Sequence, residues 1–197
     1  MYYLAQLIFW LSGWTLHPNR PPDALRCVMI AAPHTTNWDL IYARAAFYLM
    51  RIPVRFTIKR EWLVFPLGLI LKPMGAIGID RRPKDDNEAR LSSVQAMANL
   101  FTTHHDLCVL VTPEGSRSLR KEWRTGFYYT AKAAGVPIGL GYLDYEKKEA
   151  GVGMMVYPTD DLAADMRIIM GFYANIKGKY PATFSLDERF PIATNEK

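Results

Sequence analysis

Short apolar runs alternating with longer stretches of helical spacing set the strongest constraint on how this chain can fold. Cys27 to Ala32 is an apolar run closed by Pro33, the mark of a buried strand. Asn37 to Met50 then has helical spacing, with Leu40, Ala43, Phe47 and Met50 along one side and Thr36 or Asn37 placed to cap it. Val54 to Ile58 predicts a second strand, Ala76 to Ile79 a short glycine-flanked strand edge, and Leu107 to Val111 another strand. Between the last two, Asp86 or Asn87 caps a helix reaching about Thr103, with Leu91, Val94, Met97, Ala98 and Phe101 facing in. Thr125 is placed to cap a helix that Gly135 ends. Ile138 to Tyr145 and Val152 to Tyr157 flank the polar insert from Glu146 to Gly151 and predict a hairpin. Thr159, Asp160 and Asp161 open a last helix to about Ile176, and the sequence does not decide the form of the tail from Lys177. The alternation argues for an α/β fold: one domain, a largely parallel sheet with an antiparallel hairpin at its end, and helices on both faces.

A chain of 197 residues, half of them hydrophobic, can bury one sizeable core but hardly two. Cys27 and Cys108 each lie inside an apolar run and read as small core hydrophobes; no CxxC or Cys/His ligand spacing accompanies them. That usage points to a reducing, cytoplasmic compartment. His104 and His105 lack a third ligand nearby and read as a polar helix end before the strand at Leu107.

The net charge of +5 is unevenly spread. From Arg51 to Lys84 eight basic residues (Arg51, Arg55, Lys59, Arg60, Lys72, Arg81, Arg82, Lys84) face two acidic ones, Glu61 and Asp80, a local balance of +6. The residues between them, including Trp62, Leu63, Val64, Phe65, Leu67, Leu69, Ile70 and Leu71, are strongly apolar. A nucleic-acid groove has no use for such a mixture, whereas an anionic lipid surface does. The first fourteen residues are apolar without Lys or Arg, too short for the roughly 20 residues of a bilayer span and lacking the charged start of a signal peptide. They read either as an interfacial helix or as a helix packed on the domain.

Two loops that directly follow predicted strands carry the chemistry. In the first, His34-Thr35-Thr36-Asn37-Trp38-Asp39, five helical residues would turn the two side chains about 140° apart. For them to meet, His34 must precede the helix and Asp39 must lie in its first turn. A histidine so placed is a base suited to taking a proton from a hydroxyl, and a carboxylate on its other ring nitrogen would fix the tautomer. In the second loop, Val111-Thr112-Pro113-Glu114-Gly115-Ser116-Arg117-Ser118, Pro and Gly force a sharp exit that exposes backbone N–H groups and projects Arg117, an arrangement suited to an anion. Ser116 and Ser118 lack the GxSxG context of a covalent serine mechanism. Taken singly, each loop is better read as capping and packing or as a turn with a solvated arginine.

Taken together and in order, the blocks resemble the glycerolipid acyltransferase family, whose best-known members are the 1-acylglycerol-3-phosphate acyltransferases. His34 to Asp39 is similar to the family's HxxxxD block, Gly75-Ala76-Ile77-Gly78-Ile79-Asp80-Arg81 to its second, Pro113-Glu114-Gly115-Ser116-Arg117-Ser118 to its PEG[TS]RS block, and Val136-Pro137-Ile138 to its fourth. The resemblance runs from about residue 25 to 145. It implies a glycerol-3-phosphate acyltransferase-like fold and an enzyme that moves an acyl group from a thioester, acyl-CoA or acyl-carrier protein, to a lysophospholipid hydroxyl, with no cofactor, no metal and no acyl-enzyme. In that reading His34 is the general base and Asp39 its orienting partner. Arg81 and Arg117 hold the acceptor's phosphate, and Glu114, Gly115 and Ser116 form the loop around it; Arg82 is an adjacent candidate. Gly78 stands where the second block usually has a bulky residue and Leu140 where the fourth usually has a second proline, departures expected to fall on the acceptor or acyl pocket. They leave room for a different lipid acceptor on the same fold; a lipid-binding relative without turnover is the further alternative. The expected partners are a lysophospholipid, an acyl thioester and a membrane surface met peripherally from the cytoplasm, not nucleic acid.

Overall fold

The computed structural model describes residues 2–73, 75–79 and 86–192; of residues 59, 60, 70, 79 and 86–92 only the backbone course is described. Within them the chain forms helix α1 (Tyr2–Ser12), strand β1 (Thr15–Leu16), β2 (Cys27–Ala31), α2 (Trp38–Leu49), β3 (Val54–Lys59), the single-turn α3 (Gly68–Leu71), β4 (Ala76–Ile79), α4 (Asp86–Thr103), β5 (Cys108–Val111), α5 (Gly126–Ala134), β6 (Ile138–Asp144), β7 (Glu149–Val156) and α6 (Leu162–Tyr173). The seven strands make one sheet in the order β1-β7-β6-β2-β5-β3-β4. Every pairing is parallel except the β6–β7 hairpin. This is the expected single α/β domain.

β2 is the centre of the sheet and is buried on both sides, which is why its sequence is an unbroken apolar run. Val28 and Ile30 face a core shared with Met97 and Phe101 of α4, Phe127 and Ala131 of α5, and Met166 and Ile169 of α6. Cys27 and Met29 face the other way, toward Phe47 and Met50 at the end of α2. Helices therefore cover both faces. On the α2 side β6 contributes glycines, and Met29 fills the space they leave. A Cβ on Gly139 would come within 2.9 Å of the Met29 side chain, and one on Gly141 within 3.1 Å. Cys27 and Cys108, opposite one another in register, are buried free thiols 3.7 Å apart at sulfur.

Outside the core, α1 lays Ala5 and Phe9 against Ala45 and Ala46 of α2. Beyond α6 the tail, left undecided by the sequence, is an irregular strap. Asp187 is buried and accepts the Trp123 N–H and the fork of Arg189, while the Glu188 N–H reaches the Lys121 carbonyl. Burial pushes the Asp187 carboxyl up, but the Arg189 guanidinium and the N–H donors outweigh it and hold the group below the usual range.

Some local expectations shift. Leu40 is exposed instead of facing in, because α2 turns its Ala43, Phe47 and Met50 side to the sheet and α1 covers the flank at Ala45 and Ala46. Asn37 and Thr125 sit at the cap positions of α2 and α5 without a side-chain cap bond, whereas Asp161 caps α6 through the Ala164 N–H and Gly135 ends α5 at φ 63°. The last helix stops at Tyr173, short of Ile176. Residues 149–151, expected in the turn, are strand, because β7 pairs with β6 from Glu149 onward. Leu140 is fully buried in the core instead of lining a pocket, since β6 points it to the α4–α5–α6 side with Ile138 and Tyr142.

The contact between Met29 and the β6 glycines is testable. Met29→Ala should cost about 2–5 kcal/mol by opening a cavity. Gly139→Ala alone should cost about 1–3 kcal/mol by overpacking, and markedly less when combined with Met29→Ala. Urea titration of the four proteins reads the coupling; strictly additive costs would mean that Met29 does not limit that space.

Candidate active site

Three neighbouring parallel strands, β5, β2 and β6, end at the same edge of the sheet, and the residue or loop that follows each one supplies a part of the site. β2 is also where the order turns: β5 lies on one side of it and β6 on the other, the place where open α/β sheets form their crevice. His34 follows β2, Glu114 follows β5 and Tyr145 follows β6.

Asp39 is the second residue of α2 and buried, and its carboxylate turns back over the loop it ends. Oδ2 accepts the N–H of Thr35 at 2.8 Å and of Thr36 at 2.9 Å, and lies 3.2 Å from His34 Nδ1. Oδ1 accepts the Tyr145 hydroxyl at 2.6 Å. His34 thus precedes the helix and Asp39 lies in its first turn, the geometry the spacing demanded. The His34 side chain keeps 27% of its exposure against 6% for Asp39. With Nδ1 engaged by the carboxylate, Nε2 is the ring nitrogen left to meet a substrate proton.

Glu114 is buried as well and accepts the backbone N–H of His34 at 2.8 Å. Burial lifts its carboxyl from the ordinary 4.5 to about 7, with the nearby Asp39 adding to the rise and the His34 contacts opposing it. Gly115 follows at φ 68°, in the left-handed region, with the Arg124 side chain so close that a Cβ would sit 2.9 Å from its Nε. Ser116 Oγ donates to the Ser118 carbonyl and accepts from Arg120 Nε, both at 3.2 Å. Arg117 is exposed and has no hydrogen bond or ion pair among the described residues. Arg81 lies outside the described residues, as do Arg82 and Lys84. The structure therefore brings Asp39 and Glu114 each into direct contact with His34 and sets Gly115, Ser116 and Arg117 on the loop leaving Glu114.

The strap closes one side. Tyr180 N–H donates to Thr35 Oγ1 at 3.3 Å, and Gly178 lies so near that a Cβ would meet Thr35 at 2.9 Å and Pro33 at 3.0 Å. Lys179 sits 5.5 Å from the ring centre of Trp38. Sequence reasoning missed Tyr145, Arg120 and Arg124. The two arginines were within reach, because they follow Arg117 in the same basic loop, with Lys121 between them; Tyr145 carried no local signal. His104 is exposed at a helix end, and no group of three metal-ligating side chains occurs among the described residues.

The sequence from residue 18 to 139 matches the model of the Acyltransferase family, more than half of the chain. The chain belongs to the acyltransferase family. Among solved structures, the crystal structure of the 1-acyl-sn-glycerophosphate (LPA) acyltransferase PlsC from Thermotoga maritima is similar with a TM-score of 0.49 and 13% identity, over 90% of this chain and 80% of that one. A search of curated protein sequences finds no significant match.

The raised Glu114 carboxyl carries a sign. Its native form holds a proton more tightly than its unfolded form, so ionising it costs stability as pH rises from about 4.5 through about 7. Glu114→Gln keeps an oxygen for the His34 N–H and removes the titration. The stability difference between the variant and the wild type should therefore move in the variant's favour by about 2–3 kcal/mol between pH 5 and pH 8. Denaturant melts at the two pH values read it, and a difference independent of pH would place the Glu114 carboxyl in the ordinary range.

Proposed function

We propose that this acyltransferase moves a fatty acyl group from acyl-CoA or an acyl-carrier protein to the hydroxyl of a lysophospholipid such as 1-acylglycerol-3-phosphate. The observation that carries the reading is the His34–Asp39 pair, in which the buried carboxylate engages Nδ1 and leaves Nε2 for a substrate, with the loop of Gly115, Ser116 and Arg117 joined to the His34 backbone through Glu114. In the reaction the acceptor oxygen attacks the thioester carbonyl while His34 Nε2 takes its proton; the C–O bond forms, the C–S bond breaks, and the proton passes to the departing sulfur. Asp39 steadies the imidazolium in between. Arg117, free of partners among the described residues, is the cation for the acceptor's phosphate, with Arg81 proposed beside it from the sequence. Anchoring that phosphate sets the neighbouring hydroxyl against the base.

An acceptor that lives in a bilayer must be reached there, and no described helix is long and apolar enough to cross one. Two exposed apolar surfaces support peripheral docking. The outer side of α1 presents Tyr3, Leu4, Leu7, Trp10 and Leu11, with Trp10 77% exposed, so this helix is apolar on both its packed and its open side. The segment after β3 presents Trp62, Val64, Phe65, Leu67 and Leu69, with Phe65 82% exposed. These side chains lie outside the core, and Lys72 follows them in an exposed position.

The chemistry is tested with a labelled acyl thioester and a panel of lipid acceptors. His34→Ala should lower turnover by about 10²–10⁴-fold with the fold intact, and Asp39→Asn by somewhat less. Arg117→Lys should raise the KM for phosphate-bearing acceptors more than that for the donor, because lysine keeps the charge and loses the fork. Turnover of His34→Ala within a few-fold of wild type would sink the mechanism; a KM change confined to the donor would reassign Arg117.

Docking is tested by co-sedimentation with anionic vesicles. Each basic residue near the surface contributes about 1 kcal/mol and is screened by salt, whereas apolar burial is not. Binding should fall with salt without vanishing. Trp62→Ser with Phe65→Ser should reduce the salt-resistant part, and adding Leu7→Ser with Trp10→Ser should abolish it, with little change in melting temperature because all four side chains are exposed. Wild-type sedimentation of the stable fourfold variant in high salt would exclude both surfaces.

A further inference from the structure

The two oxygens of Asp39 are unequally served. Oδ2 has three donors, the N–H groups of Thr35 and Thr36 and His34 Nδ1. Oδ1 has one among the described residues, the Tyr145 hydroxyl at 2.6 Å, a length typical of an O–H donating to a carboxylate. Without that donor the carboxylate could pivot about the bonds at Oδ2, and the ring of His34 would pivot with it.

Tyr145 is itself held from several directions. Its backbone N–H donates to the Lys177 carbonyl at 2.8 Å, which ties it to the strap. Its ring meets Trp14 edge-on at 5.0 Å and 89° and Tyr42 at 6.1 Å and 80°, while Trp14 and Tyr42 stack on each other at 4.7 Å. Trp14 is buried just past the end of α1, and Tyr42 lies on α2, one turn beyond Asp39. These rings wall the phenol on the sides of Trp14 and Tyr42. Burial, and then the bond to Asp39, push its ionisation far above the usual range, so it remains a donor throughout the working pH.

We propose that Tyr145 is a positioning residue for acyl transfer: its O–H fixes the Asp39 carboxylate, and through it the tautomer and aim of His34, with Trp14 and Tyr42 as the wall that fixes Tyr145. This rests on the reading of His34 as the base. The reasoning is that of any orienting carboxylate: a base acts well when its ring is held in one tautomer and one direction, and a carboxylate held at both oxygens does this better than one held at a single oxygen.

The experiment is Tyr145→Phe, which keeps the ring and its packing and removes only the O–H. It is assayed beside wild type and His34→Ala, and the imidazole N–H resonances of histidine-labelled protein are recorded for all three. In Tyr145→Phe, kcat should fall about ten- to a hundredfold, the loss of one hydrogen bond to a charged group, with KM for donor and acceptor within about twofold of wild type. The Nδ1–H resonance of His34, assigned by its absence in His34→Ala, should be sharp in wild type and broadened or lost in Tyr145→Phe. Trp14→Phe, which keeps the hydroxyl and loosens its wall, should give a smaller loss of the same kind and serves if Tyr145→Phe does not fold. An active wild type and a dead His34→Ala with undiminished kcat in Tyr145→Phe would overturn the role of Tyr145 and leave the proposed function standing. A loss confined to KM would make Tyr145 a substrate contact and also overturn it. A wild type silent on every acceptor would defeat the proposed function instead; the resonance then decides, and an Nδ1–H signal equally sharp without the Tyr145 hydroxyl overturns the proposal.

Discussion

A carboxylate taken out of water must find donors for its oxygens, and Asp39 finds four: two backbone N–H groups, an imidazole and a phenol. That requirement shapes the loop between β2 and α2. Thr35 and Thr36 turn their N–H groups toward the first turn of the helix, which leaves His34 as the residue that meets the carboxylate with its side chain. The same requirement reaches across the sheet to the end of β6, so the position of the histidine depends on two segments more than a hundred residues apart.

Sheet order explains why this is possible in a chain of this size. Because β5 and β6 flank β2 and run parallel to it, their following residues converge on one edge without a long excursion. Two carboxylates then meet the same histidine in different ways. Asp39 takes its ring nitrogen, while Glu114 takes its backbone N–H from a site buried enough to lift its own ionisation to about 7. Glu114 is thus joined to the backbone on which the histidine stands, and the loop it begins carries the exposed arginine outward. The arginine loop and the histidine share a foundation.

Local features of this arrangement were legible in the sequence. The unbroken apolar run of β2, the first-turn position of Asp39 and the αL glycine ending α5 each follow from a few consecutive residues, and all three are found where expected. What escaped depends on contacts distant in the chain. Tyr145 follows a strand whose residues are all buried, and nothing near it announces a hydroxyl aimed at Asp39. The tail could not be decided from sequence, because the strap is held by individual bonds, such as Asp187 to the Trp123 N–H and Tyr180 to Thr35, instead of by a repeating face. Leu40 was misplaced because residue type gives an apolar side chain no direction when the helix that carries it is covered on more than one side.

The apolar residues of α1 illustrate the same ambiguity with a different consequence. Ala5 and Phe9 pack on α2, while Tyr3, Leu4, Leu7, Trp10 and Leu11 stay in contact with solvent. An exposed apolar stripe on an ordinary surface helix would only reduce solubility. Here the helix leads to Trp14, whose ring meets Phe9 on the packed side of α1 and also Tyr145, and Tyr145 donates to Asp39, so contacts join the packed side of α1 to His34. The seat of α1, Ala5 and Phe9 on α2, borders through Trp14 the Tyr145 ring whose hydroxyl meets the second oxygen of Asp39. On the proposed role of Tyr145, a substitution that loosens the seat of α1 acts on the aim of the histidine, whereas one confined to the outer stripe acts on the exposed surface alone.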